Sequence, residues 1–197
     1  MIKKEINVIN ILSSSFALHR FGGKVNLFIK ENIPEVKEPT LVLINLRGLD
    51  PLDYEFIDLA FSDIFLSSLT NDNIFLAFIS NKWEKEELLT GIIHIMKIKG
   101  TAGQSDDELL IKNGINLIIV DEDDKVTYLS ALDEMHLNVL KVIETVETIA
   151  SSEIQEKFSL NAEQTTDILG NLLKSKFIYK TYASSSPLYS SVKRNII

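Results

Sequence analysis

The sequence predicts an α/β protein in two parts: a layered sheet with helices, then a smaller, mainly helical unit ending in a β-hairpin. Three observations carry this. Thr40 to Leu46 and Ile74 to Ile79 are unbroken apolar runs, the pattern of strands covered on both faces, as in a parallel sheet. After each of them apolar residues recur at helical spacing, so strand and helix alternate. At Ala131 the pattern changes to three successive helical segments and two short strands.

Taken in order, Ile6 to Leu12 reads as the first strand, and Ser13 to Gly23 as a turn-rich stretch closed by Arg20-Phe21-Gly22-Gly23-Lys24. Lys24 to Asn32 suits a short helix, and Pro34 and Pro39 bracket a polar connector. The central strand then leads through a short acidic turn into a long helix. Asp50 offers an N-cap oxygen and Pro51 a backbone angle suited to the first helical position. Leu52, Phe56, Leu59, Ala60, Ile64 and Phe65 share its apolar face, with Glu55, Asp58 and Ser62 opposite. Asn71 to Asn73 is a turn, Ile74 to Ile79 a strand, and Lys82 to Lys99 a helix with Trp83, Leu88, Leu89, Ile92, Ile93, Ile95 and Met96 inward.

Gly100 to Asp107 has the composition of a linker. Beyond it, Asn116 to Val120 and Val126 to Leu129 flank an acidic turn and read as a hairpin that could close the first sheet or open the next unit. The division expected is residues 1–105, a connector over 106–130, and 131–197. In the last part Leu132 to Thr148 is a helix, Ser152 opens a second with Gln155 at the capping-box position, and Asn161 with Gln164 repeats that geometry ahead of a third, Ala162 to Ser175. Thr165, Ile168, Leu169 and Leu172 form its inward face, and Phe177 to Tyr182 and Leu188 to Val192 are the closing strands.

Composition bounds the function. With 45% apolar and 24% charged residues over 197 positions, the chain has the material for globular cores. A net charge of −8 disfavours coating nucleic acid by bulk attraction. The absence of cysteine excludes disulfides and thiolate metal sites. Glu5, Asn7 and Asn10 interrupt the only leader-like stretch, and no run approaches the roughly 20 apolar residues of a membrane span. A cytoplasmic protein without membrane contact is the expectation.

The C-terminal stretch, carried by SSEIQEKFSLNAEQTTDILGNLLKSKFIYK and the hairpin with Tyr182 and Tyr189, resembles the winged helix-turn-helix domains of bacterial transcription regulators. The N-terminal stretch, carried by LVLINLRGLDPLDYEFIDLAFSDIF, resembles the STAS domains of anti-anti-sigma factors, and more closely the STAS-like domains of bacterial regulators. The family's phosphorylated serine at the start of this helix falls here on Asp53, Tyr54 and Glu55, none of which is Ser or Thr. The resemblance therefore implies signalling by docking or dimer rearrangement, with a homodimer expected.

Two readings follow. In one, the chain is a DNA-binding regulator: Gln164, Thr166 and Asn171 approach bases, while Lys174, Lys176, Lys180, Lys193 and Arg194 hold phosphates. Charge asymmetry motivates it, since Lys174 to Ile197 carries five bases and no acid, whereas Ala131 to Leu173 carries eight acids and two lysines. Glu163 and Asp167 stand against it on the same helix face. In the other, the chain is a non-enzymatic adaptor whose helix start, with Asp50, Asp53, Tyr54, Glu55 and Asp58, docks a protein partner such as a histidine-kinase-like ATPase. No cofactor, metal site or catalytic group is expected: His19, His94 and His136 are widely spaced, and no nucleophile motif is present. Arg20 to Lys24 could face an anion, although a plain Gly-Gly turn is the commoner case. Asp106 to Glu108 and Asp121 to Asp124 read as solvated acidic turns.

Overall fold

The structure, a computed structural model, describes residues 1–12, 21–33, 36–49, 53–95, 116–130, 132–183 and 186–196, without the side chains of residues 82–86 and 89. It divides into two compact units, Met1–Ser130 and Ala131–Ile197. Asp50, Pro51, His19, Arg20, the linker-like segment and Asp106 to Glu108 lie outside the described residues.

The first unit is built on a five-stranded sheet in the order β1-β2-β3-β4-β5. Its strands are β1 (Ile2–Asn7), β2 (Thr40–Asn45), β3 (Ile74–Ile79), β4 (Leu117–Val120) and β5 (Val126–Leu129). The first four run parallel and β5 turns back against β4, so the acidic hairpin closes this sheet. Helices α1 (Val8–Leu12), α2 (Gly22–Asn32), α3 (Tyr54–Thr70) and α4 (Lys82–Ile95) fall between the strands. Each parallel step moves one place in the same direction across the sheet, which gathers the helices over one face. Val42, Ile44, Ile74, Leu76, Phe78, Leu117 and Ile119 of that face share a core with Val25 and Ile29 of α2, Phe56 and Phe61 of α3, and Leu88 and Ile92 of α4. Leu41, Leu43, Phe75, Ala77 and Ile118, pointing the other way, are buried as well, which is why β2 and β3 are apolar without alternation.

The first strand lies four residues earlier than the sequence suggests. Ile2–Asn7 pairs with Thr40–Asn45, and Val8–Leu12, expected to be strand, is helical. β1 is an edge strand, so Lys3 and Glu5 can face water while Ile6 enters the core. Lys4 follows its strand inward but extends its ammonium to the last turn of α2, donating to the Asn32 carbonyl at 2.6 Å.

α3 also departs from expectation. Its cap is Asp53, whose side chain accepts from the Phe56 N–H at 2.6 Å, and the helix begins at Tyr54 rather than at Pro51. Ile57, Phe61 and Ser62 are buried, whereas Leu59, expected inside, is half exposed. Ser62 escapes the cost of burial because its hydroxyl donates back to the Asp58 carbonyl. The helices lie close enough that a Cβ on Gly22 would fall 2.6 Å from Leu59 Cβ, and one on Gly91 2.6 Å from Ile57 Cγ2. Both glycines are thus set by helix–helix approach; Gly22 and Gly23, expected as a turn, are instead the first residues of α2, and of the two only Gly22 has this packing role. Gly48, at φ +83°, makes the turn out of β2.

The second unit contains α5 (Glu134–Thr145), β6 (Ile149–Ala150), α6 (Ser151–Phe158), α7 (Ala162–Lys174), β7 (Ile178–Ala183), β8 (Ser186–Ser191) and a closing 3-10 turn, Val192–Asn195. Its sheet has the order β6-β8-β7, antiparallel throughout. The two-residue β6 was not foreseen. α6 starts one residue before Ser152: Glu153 accepts from the Ala150 N–H at 2.7 Å, so that pair, and not Ser152 with Gln155, closes the helix start. The inward face of α7 is Thr165, Ile168, Leu169 and Leu172, as the spacing predicts.

Among the described residues no helix is long and apolar enough to cross a membrane.

Candidate functional site

Three surfaces are candidates, two on the first unit and one on the second. On the first, the start of α3 presents Tyr54, 50% exposed, and Leu59, 49% exposed, beside Glu55. Residues four apart on a helix share a face, so Glu55, Leu59 and Asp63 form one outward stripe. Asp63 is braced from α2 by Lys30 at 2.7 Å and by Asn26 at 2.9 Å, and Asn26 also donates to the Leu59 carbonyl at 3.1 Å. Tyr54 stacks obliquely on His94 of α4, ring centres 5.0 Å apart. Of the docking residues read from sequence, Tyr54 and Glu55 are exposed. Asp53 is committed to the cap, Asp58 is half buried with its carbonyl engaged by Ser62, and Asp50 lies outside the described residues.

At the carboxyl ends of the parallel strands, where open α/β sheets carry ligands, Arg47 clasps the acidic hairpin turn. Its Nη2 donates to the Asp121 carbonyl at 2.6 Å and lies 3.3 Å from Asp124 Oδ1. Asp121 in turn accepts from the N–H groups of Asp123 and Lys125. The turn expected to be merely solvated is therefore tied to the strand two places away. Asn7 Oδ1, Arg47 Nε and Ser80 Oγ, all at this end, are buried without a hydrogen-bond partner among the described residues.

On the second unit the exposed face of α7 is where the sequence placed it, but several of its polar groups are already engaged. Gln164 and Asn161 exchange hydrogen bonds in a capping box, at 3.0 and 2.8 Å. The Thr166 hydroxyl donates to the Ala162 carbonyl at 2.7 Å. Asn171 Nδ2 lies 3.1 Å from His136 Nε2, while His136 Nδ1 lies 2.6 Å from Asp133 Oδ1. The imidazole thus bridges the cap of α5 to the exposed face of α7. Glu163 and Asp167 stand exposed on the same helix.

The bases do not form one strip. Lys174 ends α7, and Lys176 is half buried at φ +61° in the turn that follows. Lys180 lies mid-strand opposite Tyr189, its ammonium 6.0 Å from the ring centre. Burial, then the Tyr182 phenol, holds the Tyr189 hydroxyl above its ordinary pKa. From Thr181 to Val192 there is no charged residue, and the described tip is marked instead by Tyr182, 70% exposed. Lys193 and Arg194 stand past the far end of β8, where Lys193 pairs with Glu144 of α5 at 3.0 Å.

Asp133 caps α5 by accepting from the His136 N–H, and that bond, then the imidazole contact, holds its carboxyl below the ordinary value. A depressed folded pKa contributes stability above the unfolded value, about 3.9, and loses it as pH falls through the folded one. Asp133→Asn, which keeps a capping oxygen but not the charge, is therefore expected to lower the urea midpoint at pH 5. At pH 3 the gap from wild type should narrow.

No group of three potential metal ligands occurs among the described residues. The chain matches no protein-family model, and no curated protein or solved structure is detectably similar to it.

Proposed function

We propose that the chain is a non-enzymatic regulatory adaptor, with a STAS-like sheet unit that docks a protein partner and a separate winged-helix unit. The observation that carries this reading is the outward stripe of α3, an exposed leucine between Glu55 and Asp63 with Tyr54 nearby. An apolar anchor flanked by the Glu55 carboxylate on one side and by the Asp63–Lys30 ion pair on the other is how a docking face combines affinity with selection. The complementary partner presents an apolar socket rimmed by Lys or Arg. Sequential parallel strands with helices over one face support the STAS-like assignment. The order helix, strand, helix, helix, hairpin with a β6-β8-β7 sheet supports the winged-helix one.

The test uses the whole chain as bait against proteins of its own source, with sedimentation reporting self-association in parallel. Leu59→Arg is expected to weaken capture, or dimerisation if the partner is a second copy, by roughly thirtyfold or more, the scale of a lost hot spot. Equal behaviour of wild type and variant in both measurements removes the reading.

Binding of DNA by the second unit is the other reading, favoured by that element order and by the exposed Lys174 and Lys180. Against it are Glu163 and Asp167 on α7 and the absence of charge from Thr181 to Val192, around the wing tip. A duplex shift assay at low and at physiological salt separates the two: retention at both supports DNA, and no shift at either supports the adaptor.

A further inference from the structure

The last turns of α5 and the closing 3-10 turn enclose a surface depression of about 530 Å³ lined by Lys141, Glu144, Thr145, Lys193 and Arg194. Three of the second unit's seven basic residues meet here, though Lys141 is about fifty positions from the other two in the chain. One acid faces them. Glu144 pairs with Lys193 at 3.0 Å, the side chains being 15% and 31% exposed, so this lysine is held in place and one charge is cancelled. Lys141 and Arg194 are exposed and have no ion-pair or hydrogen-bond partner among the described residues. The local balance is thus +2 in a protein of net charge −8. The α5 C-terminus adds roughly half a negative charge, too little to offset it. Lys141 stands before the last turn of α5 and Arg194 belongs to another element, so the helix dipole does not account for the cluster.

We propose that this depression is a phosphoryl-binding site, with Arg194 and Lys141 as its two free cations and Lys193 as a fixed donor between them and Glu144. An ammonium has three N–H donors, so Lys193 keeps two after its bond to Glu144. No aromatic or purely aliphatic residue lines it; its apolar surface is the carbon stems of Lys141, Lys193 and Arg194 and the Thr145 methyl, which have no ring or pocket shape. Recognition therefore falls on the charged oxygens of the ligand rather than on a ring or a chain, and affinity must decline with salt. Two free cations carried by separate elements suit a pyrophosphate group or adjacent phosphates of a strand. The proposal does not depend on the docking face of α3.

The experiment is calorimetric titration of the full chain with inorganic pyrophosphate against chloride at matched ionic strength, and with a 12-base-pair duplex. Saturable binding of pyrophosphate is expected, weakened at least tenfold in Lys141→Gln/Arg194→Gln. Both positions are solvent-exposed, and circular dichroism checks the fold. Glu144→Gln removes the opposing charge and is expected to tighten binding. If the duplex also binds, with a salt slope that falls by about two in the double variant, the phosphates belong to nucleic acid. If only pyrophosphate binds, a small phosphorylated ligand is the source. Absence of saturable binding by either probe, or equal binding by wild type and double variant, overturns the proposal.

Discussion

Phe61→Ala is expected to cost the first unit about 3–5 kcal/mol, a large share of the stability of an ordinary domain. Phe61 is fully buried under the helix layer and meets Phe56 and Phe78 edge to face, with both ring-centre distances 5.8 Å. Its loss removes transfer free energy and two aromatic contacts, and it leaves a void between α3 and β3 that two neighbouring rings cannot close without leaving their own sites. Urea denaturation followed by circular dichroism reads the effect as a lowered midpoint with little change in slope. A shift corresponding to less than 1 kcal/mol would mean that the helix layer repacks freely, contrary to the close approaches at Gly22 and Gly91.

Phe177→Ala is the matching experiment on the second unit, with a similar cost of about 3–5 kcal/mol. The residue is fully buried where α7 gives way to β7. Its N–H donates back to the Leu172 carbonyl at 3.2 Å, and its carbonyl accepts from the Val192 N–H at 2.9 Å, so one residue joins helix, hairpin and closing turn. Since Ala131–Ile197 is a small unit with little spare stability, the substitution is expected to unfold it at ambient temperature. Loss of amide dispersion for residues 132–196 in a heteronuclear NMR spectrum is the reading. A dispersed spectrum for those residues would show that the junction tolerates a cavity.

What could be read beforehand follows the strength of each local signal. The unbroken runs of β2 and β3 are strands because a sheet buried on both faces needs no polar alternation. The α7 face was legible because its apolar residues keep to one side. α3 is apolar on most of its circumference, so periodicity alone could not rank Leu59 below Ile57 and Phe61; the neighbours α2 and α4 decide that. β1 was misplaced because an edge strand may carry Lys3, Lys4 and Glu5, which resemble a polar lead-in, while Val8 to Leu12 has the composition of a strand. Exposure of Gln164, Thr166 and Asn171 was foreseeable; for Thr166 and Asn171 the side-chain bonds that occupy them were not. The meeting of Lys141 and Glu144 with Lys193 and Arg194 is a product of folding, invisible in a linear charge count.

The charged first strand has one further consequence. A sheet that adds parallel strands in one direction has no built-in stopping point, and its free margin is a template on which another chain could lie down. At the other side β5 reverses direction, which ends the parallel series. At the β1 side the ending is chemical: a newcomer would have to desolvate Lys3 and Glu5 and accept Lys4 beneath it. The same polar residues that hid the strand from a hydropathy reading thus also make this margin a poor template for strand addition.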